Sequence, residues 1–456
     1  MKQHYTTLGL QEGASQEEIE GAYDRLSKEL DPANNDNQEF FIEEYKDLQA
    51  AYKALSASSI LATKQGAKNM YSKPKEEKSL KDELPKTKPP KSHTNKTKVI
   101  VGIVIGVFII GILGYLVGVN SNFQDQNTET PSVAQKKIYK VLTIAFYNVE
   151  NLFDTKNNPT GYDINSVPNK NNWTKATYNA KLKNIAKVIS EIGADVTGIA
   201  PAIIGLNEIE NREVLEDLIR QKPLLREKYG IIHFNSPDNR GLDVALLYKK
   251  KFFTPTNYKA HELIIFDNNN PANRIFTRDQ LVVSGLLDGE KMHFIVNHWP
   301  SRIDNKIQLA AAKLNRKIID SILSREPMAK IITMGDLNIN PTSSSIKNIL
   351  KTKSKRDNVS RKQLFNPMEV FFNNGLGTFA WRDRWYLFDQ MILSSELTKK
   401  DYTSYRYYKG GIFNKSYLAN SKGQYKGYPF NSFRDGFFTG GYSDHFPVFL
   451  YLVKEQ

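Results

Sequence analysis

The sequence predicts an α/β chain preceded by a small all-helical segment and one membrane-spanning helix, and three observations predict it. From Tyr139 onward, strand-like runs of period two alternate with helix-like runs, as in an α/β domain. Residues 99–119, VIVGIVIGVFIIGILGYLVGV, contain no charged side chain. Ahead of both, the first 59 residues repeat apolar side chains at helical spacing behind a capping signal. The segments follow as 1–59, 60–98, 99–119, 120–137 and 138–456.

In the first segment, Ser15 followed by Glu18 fits a capping box, and Ile19, Ala22, Tyr23 and Leu26 then recur at helical spacing. A second helix repeats the pattern with Phe40, Ile42, Tyr45, Leu48, Tyr52 and Leu55. From YTTLGL through AYDRLSKEL to AYKALS, this hairpin resembles a J-domain. J-domains carry His-Pro-Asp between their long helices to stimulate a chaperone partner. The corresponding place here reads Leu30-Asp31-Pro32, and the segment holds 12 Asp/Glu against 5 Lys/Arg. That departure implies docking to a cytoplasmic protein partner rather than chaperone stimulation.

Residues 60–98 carry 11 Lys and 4 acids among prolines, a poor core former that reads as a disordered linker. The uncharged run 99–119 is long enough to cross a bilayer core of roughly 30 Å as a helix. Lys-rich sequence precedes it, whereas residues 120–135 hold no Lys or Arg. The positive-inside rule then predicts a single-pass inner-membrane protein with a cytoplasmic N-terminus and the large C-terminal part in the periplasm. Gly102/Gly106 and Gly114/Gly118 form small-xxx-small pairs suited to a homodimer through this helix.

Charge and cysteine content bound the chemistry. The formal net charge is +14, and residues 99–456 hold 47 Lys/Arg against 33 Asp/Glu. A basic C-terminal part favours a polyanionic partner such as nucleic acid, a phosphorylated ligand or an anionic membrane. With no Cys, disulfides, thiolate nucleophiles and Cys-based zinc sites are excluded.

The strand candidates share one property. In VLTIAFYN the period of two sets Asn148 on one face with Leu142, Ile144 and Phe146. AIIGLNEIEN places Glu208 with Ile204 and Leu206, and GLDVALLYKK places Asp243 with Ala245 and Leu247. KMHFIVNHWPSR, KIITMGDLNINP and RWYLFDQMILS do the same with His298, Asp336 (Asn338 just beyond) and Asp389. Alone, each would be a cap or a satisfied core His. Six apolar faces that pack together, each with one such group, predict a shared cluster, because buried carboxylates need a cation or an imidazole. Oxygen-rich ligation suits Mg²⁺ or Mn²⁺ rather than Zn²⁺. Asp444-His445, ahead of the last apolar run, adds a carboxylate and a second imidazole.

The motifs YNVENLFD, IIGLNEIEN, RGLDVALLYKK, VNHWPSR, GDLNINP, FDQMILS and YSDHFPVF, in that order over residues 138–453, resemble the endonuclease/exonuclease/phosphatase superfamily, and RGLDVALLY and NHWPSR its bacterial secreted-nuclease branch. The resemblance implies two packed mixed β-sheets with helices on the outer faces, a four-layer α/β sandwich. It implies Glu208 as principal Mg²⁺ ligand with Asn148 at the metal–phosphate site, and Asp444 as a further metal-side carboxylate. Asp336 and Asn338 would orient the attacking water and hold the phosphate. His298 and His445 would face the phosphate, oriented by Asp243 and Asp389 respectively. Arg302 would add a phosphate contact, with a plain surface Arg as the alternative. DVTGIAPAIIGLNEIEN carries a few residues more than the family pattern, which could displace the strand delivering Glu208.

Together these readings predict a membrane-anchored, Mg²⁺- or Mn²⁺-dependent phosphodiesterase, a nuclease acting on DNA or RNA. The alternatives are a phosphatase or lipid phosphodiesterase of the same superfamily, since substrate choice lies in loops, and a non-catalytic membrane scaffold. Retention of the whole candidate set argues against the scaffold.

Overall fold

The computed structural model describes residues 2–8, 10, 13–29, 45–46, 48–56, 137–156, 173–267, 272–301 and 305–456. Thirteen of the strands make two sheets. They are β1 (Tyr139–Leu152), β2 (Ile203–Ile209), β3 (Tyr229–His233), β4 (Asp243–Lys249), β5 (Phe253–His261), β6 (Gln280–Leu287) and β7 (Glu290–His298), then β8 (Ile331–Asp336), β9 (Thr352–Lys353), β10 (Leu364–Phe365), β11 (Asp389–Ser394), β12 (Arg406–Ile412) and β13 (Val448–Glu455). The six-stranded sheet runs β12-β13-β1-β2-β4-β3 and the seven-stranded sheet β9-β10-β11-β8-β7-β6-β5.

β1, 14 residues long and mostly buried, pairs antiparallel with β13 and parallel with β2 at the centre of its sheet. Apolar side chains on both of its faces account for this placement. Leu142, Ile144 and Phe146, with Leu450 of neighbouring β13, face the second sheet, where they meet Val296, Met334 and Met391 in the core between the sheets. Ala145 and Tyr147 face outward onto the helix Lys175–Glu191 through Ile185 and Ile189. On the far side, the helix Asn305–Arg325 covers the seven-stranded sheet with Ala311 and Ile319 against Ile295 and Ile331. The result is a helix–sheet–sheet–helix sandwich. Truncating an inter-sheet side chain such as Met334 to Ala would cost roughly 2–5 kcal/mol.

Register then carries polar groups to one end of the sandwich. In the seven-stranded sheet His298, Asp336 and Asp389 lie side by side on β7, β8 and β11. Gly335 lets β7 and β8 approach there, since a Cβ at that position would fall 2.2 Å from the Asn297 carbonyl oxygen. In the six-stranded sheet Asn148 pairs with Asn207, and both strands then bulge, between Asn148 and Leu152 and between Asn207 and Ile209. Glu150, Asn151 and Glu208 sit in these bulges at φ of 54°, 52° and 61°. The extra residues before β2 form the short helix Ala194–Thr197 between left-handed Gly193 and Gly198, so β2 stays in register, Ile144 against Ile203.

In the N-terminal region, Leu8, Ile19, Ala22, Leu48 and Leu55 form a small helical core. Ser15 and Glu18 make the reciprocal cap: the Ser15 N–H donates to Glu18 Oε2 at 2.7 Å and the Glu18 N–H to Ser15 Oγ at 3.2 Å. Tyr23 stacks on Tyr52 with ring centroids 4.1 Å apart. Leu30-Asp31-Pro32 lies outside the described residues.

The expected membrane-spanning helix is corrected. Among the described residues no helix is long and apolar enough to cross a membrane. Asn305–Arg325 has 21 residues, but Lys306, Lys313, Arg316, Lys317, Asp320 and Arg325 make it amphipathic. Residues 99–119, on which the expectation rested, lie outside the described residues, as do 60–98 and 120–136. The structure is an α/β sandwich with a small helical N-terminal region. The inner-membrane location, its sidedness and the helix-mediated dimer are withdrawn with the span.

Candidate active site

The strand ends and bulges bring the two sheets' polar groups around one cavity of about 280 Å³, lined by Glu208, Arg240, His298, Ser301, Asp336, Asn338, Phe379, Trp381, Phe388, Asp444 and His445. The Asn148 side-chain amide donates to Asp336 Oδ2 at 3.1 Å and to Glu208 Oε1 at 3.4 Å, tying one sheet to the other. Its Oδ1 accepts from the Glu150 N–H at 2.9 Å. Asn148 is therefore turned with its amide donors toward the acids. The second Glu208 oxygen accepts from the Asn151 N–H at 2.8 Å.

Asp336 is buried at 2% exposure, and its Oδ1 accepts from the Asn338 N–H at 3.0 Å. Asn338, at φ 51°, anchors its own amide on the Trp299 carbonyl at 2.9 Å. Burial, reinforced by Asp389 and Glu208, pushes the Asp336 carboxyl up to about 6 against the pull of His445. Asp444 is pushed up to about 7, by burial first and then by Glu150 and Glu208. Ser443 holds this turn against β1, donating to the Asn148 carbonyl at 2.7 Å.

The two imidazoles are pushed in opposite directions. Asp336 Oδ2 stands 3.8 Å from His298 Nε2 and 3.9 Å from His445 Nε2. His445 Nδ1 is 2.6 Å from Asp389 Oδ2. Burial alone would discharge His445, but Asp389, Asp444 and Asp336 together outweigh it and hold its pKa well above the ordinary value. His298 is driven the other way, by burial and then by Arg278, Arg240 and His445. Its Nδ1 is buried with no hydrogen-bond partner among the described residues.

The expected pairing of Asp243 with His298 is corrected. Asp243 Oδ2 is 2.9 Å from His233 Nε2, and Oδ1 accepts from the Ser236 N–H at 2.8 Å and its hydroxyl at 2.6 Å. Both oxygens are thus used within the hairpin of β3 and β4, on His233 at the end of β3 and Ser236 in the loop. Arg302 lies outside the described residues.

Three features escaped the sequence reading. Arg240, in the turn opening RGLDV, is exposed at the cavity and makes no ion pair among the described residues. Its loop is pinned by a buried ion pair, Asp238 with Arg278 at 2.8 Å, and Arg278 also donates to the Trp299 carbonyl at 3.0 Å. Behind the acids, Lys181 and Ser432 are fully buried against Glu150. Phe379, Trp381 and Asp444 also line a larger neighbouring cavity of about 930 Å³, with Tyr425, Tyr428, Phe433 and Arg434.

The donor set fits a divalent cation. Glu208, Asp336 and Asp444 are hard oxygen donors around one space, and the raised carboxyls of Asp336 and Asp444 mark an excess of buried negative charge that a cation would relieve. Asp336, Asp389 and His445 also bring ligand atoms within 4.8 Å of one another. Because Asp389 already holds His445 Nδ1, that trio acts as an oriented imidazole beside the acids.

Residues 143–454 match the Endonuclease/Exonuclease/phosphatase family, and residues 3–60 match the DnaJ domain. No curated protein matches the chain. Among solved structures it is similar to an endonuclease/exonuclease/phosphatase family protein from Bacteroides thetaiotaomicron, at 17% identity and TM-score 0.42, over 70% of this chain and 97% of that one. It is similar also to a humanized D. rerio TDP2, at 14% identity and TM-score 0.41, over 68% and 98%. A Bacteroides thetaiotaomicron mannosyl-6-phosphatase aligns at 16% identity and TM-score 0.40, over 68% and 99%. With its profile matched over well more than half of its length, the chain belongs to the Endonuclease/Exonuclease/phosphatase family.

Proposed function

We propose that this protein is a phosphodiesterase that hydrolyses polynucleotides with Mg²⁺ or Mn²⁺. The observation that carries the reading is Asp336 Oδ2 standing 3.8 Å from His298 Nε2 and 3.9 Å from His445 Nε2, with His445 Nδ1 held by Asp389 at 2.6 Å. A phosphate seated beside these groups meets two imidazoles pushed in opposite directions, His298 down by burial and His445 up by its carboxylate neighbours. Asp336, with a carboxyl raised toward neutrality, is suited to orient a water and take its proton as the new P–O bond forms. His445, held charged by Asp389, stabilises negative charge as it develops on the phosphoryl oxygens while the ester P–O bond breaks and the alcohol departs. Asn148 and Asn338 fix the geometry of the acids. Glu208 and Asp444 would hold the metal, which when bound polarises a phosphoryl oxygen as a Lewis acid.

Polynucleotide is favoured over a phosphomonoester by three features. The C-terminal part is basic, with 47 Lys/Arg against 33 Asp/Glu in residues 99–456. Arg240 offers an uncommitted cation at the cavity rim. The adjoining larger cavity presents Tyr425, Tyr428 and Arg434, surfaces on which bases stack. The test is incubation with supercoiled plasmid, single-stranded RNA, phosphoinositide and a phosphomonoester, each with Mg²⁺, Mn²⁺ or chelator. Metal-dependent cutting of plasmid or RNA is expected. Release of phosphate from the monoester with both polynucleotides untouched would overturn the substrate assignment.

A further inference from the structure

Lys181 is the least expected residue behind the site. It lies on the apolar face of the helix Lys175–Glu191 and is fully buried, although an ammonium is costly to remove from water. Glu150 is an obvious counter-charge, yet Lys181 does not touch its carboxylate. That carboxylate is already satisfied by the Ser432 N–H at 2.6 Å, the Ser432 hydroxyl at 2.8 Å and the Phe433 N–H at 3.2 Å. The Lys181 ammonium donates instead to the Glu150 backbone carbonyl and to Ser432 Oγ.

The Glu150 carbonyl and the Asn151 N–H belong to one peptide unit. In a planar trans peptide they point in opposite directions. One side faces Lys181, and the other donates to Glu208 Oε2 at 2.8 Å. The unit lies in the β1 bulge, where Glu150 and Asn151 both take left-handed backbone, φ 54° and 52°. Asn tolerates that conformation but Glu does not favour it, so the bulge at Glu150 persists only if its surroundings hold it. A cation on the carbonyl also withdraws electron density from the amide, making its N–H a stronger donor, since hydrogen bonds in series polarise one another.

We propose that Lys181 is a positioning residue that sets the metal-binding carboxylate of Glu208 through the Glu150–Asn151 peptide. This rests on the metal site of the proposed function. Its action is on metal affinity, not on the reacting atoms. Outer partners of metal ligands typically contribute about 10–100-fold to affinity.

The experiment titrates the full chain with Mn²⁺ and follows free Mn²⁺ by electron paramagnetic resonance, beside thermal unfolding of the metal-free protein. Lys181→Met, similar in length but uncharged, is expected to weaken Mn²⁺ binding about tenfold. Lys181→Arg, which restores charge and donors, should bring it back to within about threefold of wild type. In protein labelled with ¹⁵N-asparagine, the Asn151 amide proton should move upfield in Lys181→Met. A lowered unfolding temperature with Mn²⁺ affinity within about twofold of wild type would mean a structural role only, and would overturn the proposal. If Lys181→Met does not fold, Lys181→Gln and Lys181→Arg decide instead, and equal Mn²⁺ affinity in those two overturns it. Failure of the wild type to bind Mn²⁺ would overturn the metal reading, and this inference with it.

Discussion

Asp389, at the start of β11, and His445, in the turn ahead of β13, meet with Oδ2 and Nδ1 2.6 Å apart. The carboxylate fixes the imidazole's tautomer and holds its charge, so its removal should be felt in the pH profile as well as the rate. Asp389→Asn is expected to lower kcat by about a hundredfold or more. The His445 pKa falls when its main partner is neutral, so the alkaline limb of the kcat profile should move to lower pH. An unchanged profile would contradict the role given to Asp389.

Replacing groups at the reacting centre should separate chemistry from folding. Glu208→Gln and His445→Ala are each expected to lose at least about a hundredfold in activity with far-ultraviolet circular dichroism unchanged. Glu208→Gln should in addition lose Mn²⁺ binding. Near-normal turnover in either variant would remove that residue from the site.

Protons and metal should compete. Asp336 and Asp444 are raised to about 6 and about 7, against about 3.9 for an unfolded carboxyl. Their folded forms bind protons more tightly, so the stability they contribute is full below about pH 4 and is lost as pH rises through their folded values. His445, also raised, has the same sign: its contribution is full below about 6.5 and is lost above. The increase in unfolding temperature on adding Mg²⁺ or Mn²⁺ should therefore grow between pH 5 and pH 8. An equal increment at both ends would show that the acids are not the metal's ligands.

Arg240 should act on substrate alone. Arg240→Met is expected to raise KM for a polynucleotide about tenfold with a much smaller change in kcat. It should reduce the slope of log affinity against log salt by about 1, because one phosphate contact disappears. Unaltered salt dependence would return Arg240 to the status of a surface side chain.

Much of this arrangement was legible in the sequence, for a definite physical reason. Period two fixes which side chains share a strand face, so His298, Asp336 and Asp389 could be placed on common faces before their register was seen. Partner choice was not legible. Ala245 and Leu247, with which Asp243 was grouped, pack against the outer helix rather than between the sheets, and the imidazole Asp243 takes is His233, from the strand hydrogen-bonded to its own. Lys181 was hidden for another reason: a lysine between apolar helix positions ordinarily extends its charge to water, and nothing local announces the backbone carbonyl waiting inside. Arg240 sits in a turn, where no periodicity indicates direction.

The N-terminal region matches the DnaJ domain but carries Leu30-Asp31-Pro32 in its loop. Leu30 can neither donate nor accept a hydrogen bond, and the order of Asp and Pro is the reverse of that in His-Pro-Asp. The full chain is expected to leave the steady-state ATPase rate of a chaperone partner unchanged. A several-fold stimulation that disappears on deleting residues 1–59 would refute this.

Glu208 holds a backbone angle, φ 61°, that glycine adopts without strain and that glutamate adopts at a cost of about 1–3 kcal/mol. Glycine there would relax the chain and would also thin out a crowd of like charges. A laboratory selection that rewarded heat resistance alone would therefore drift toward Glu208→Gly, and would arrive at a sturdier protein that no longer turns over phosphate esters. Durability and turnover pull against each other at that one position, so a hardier working enzyme has to be sought among substitutions far from it.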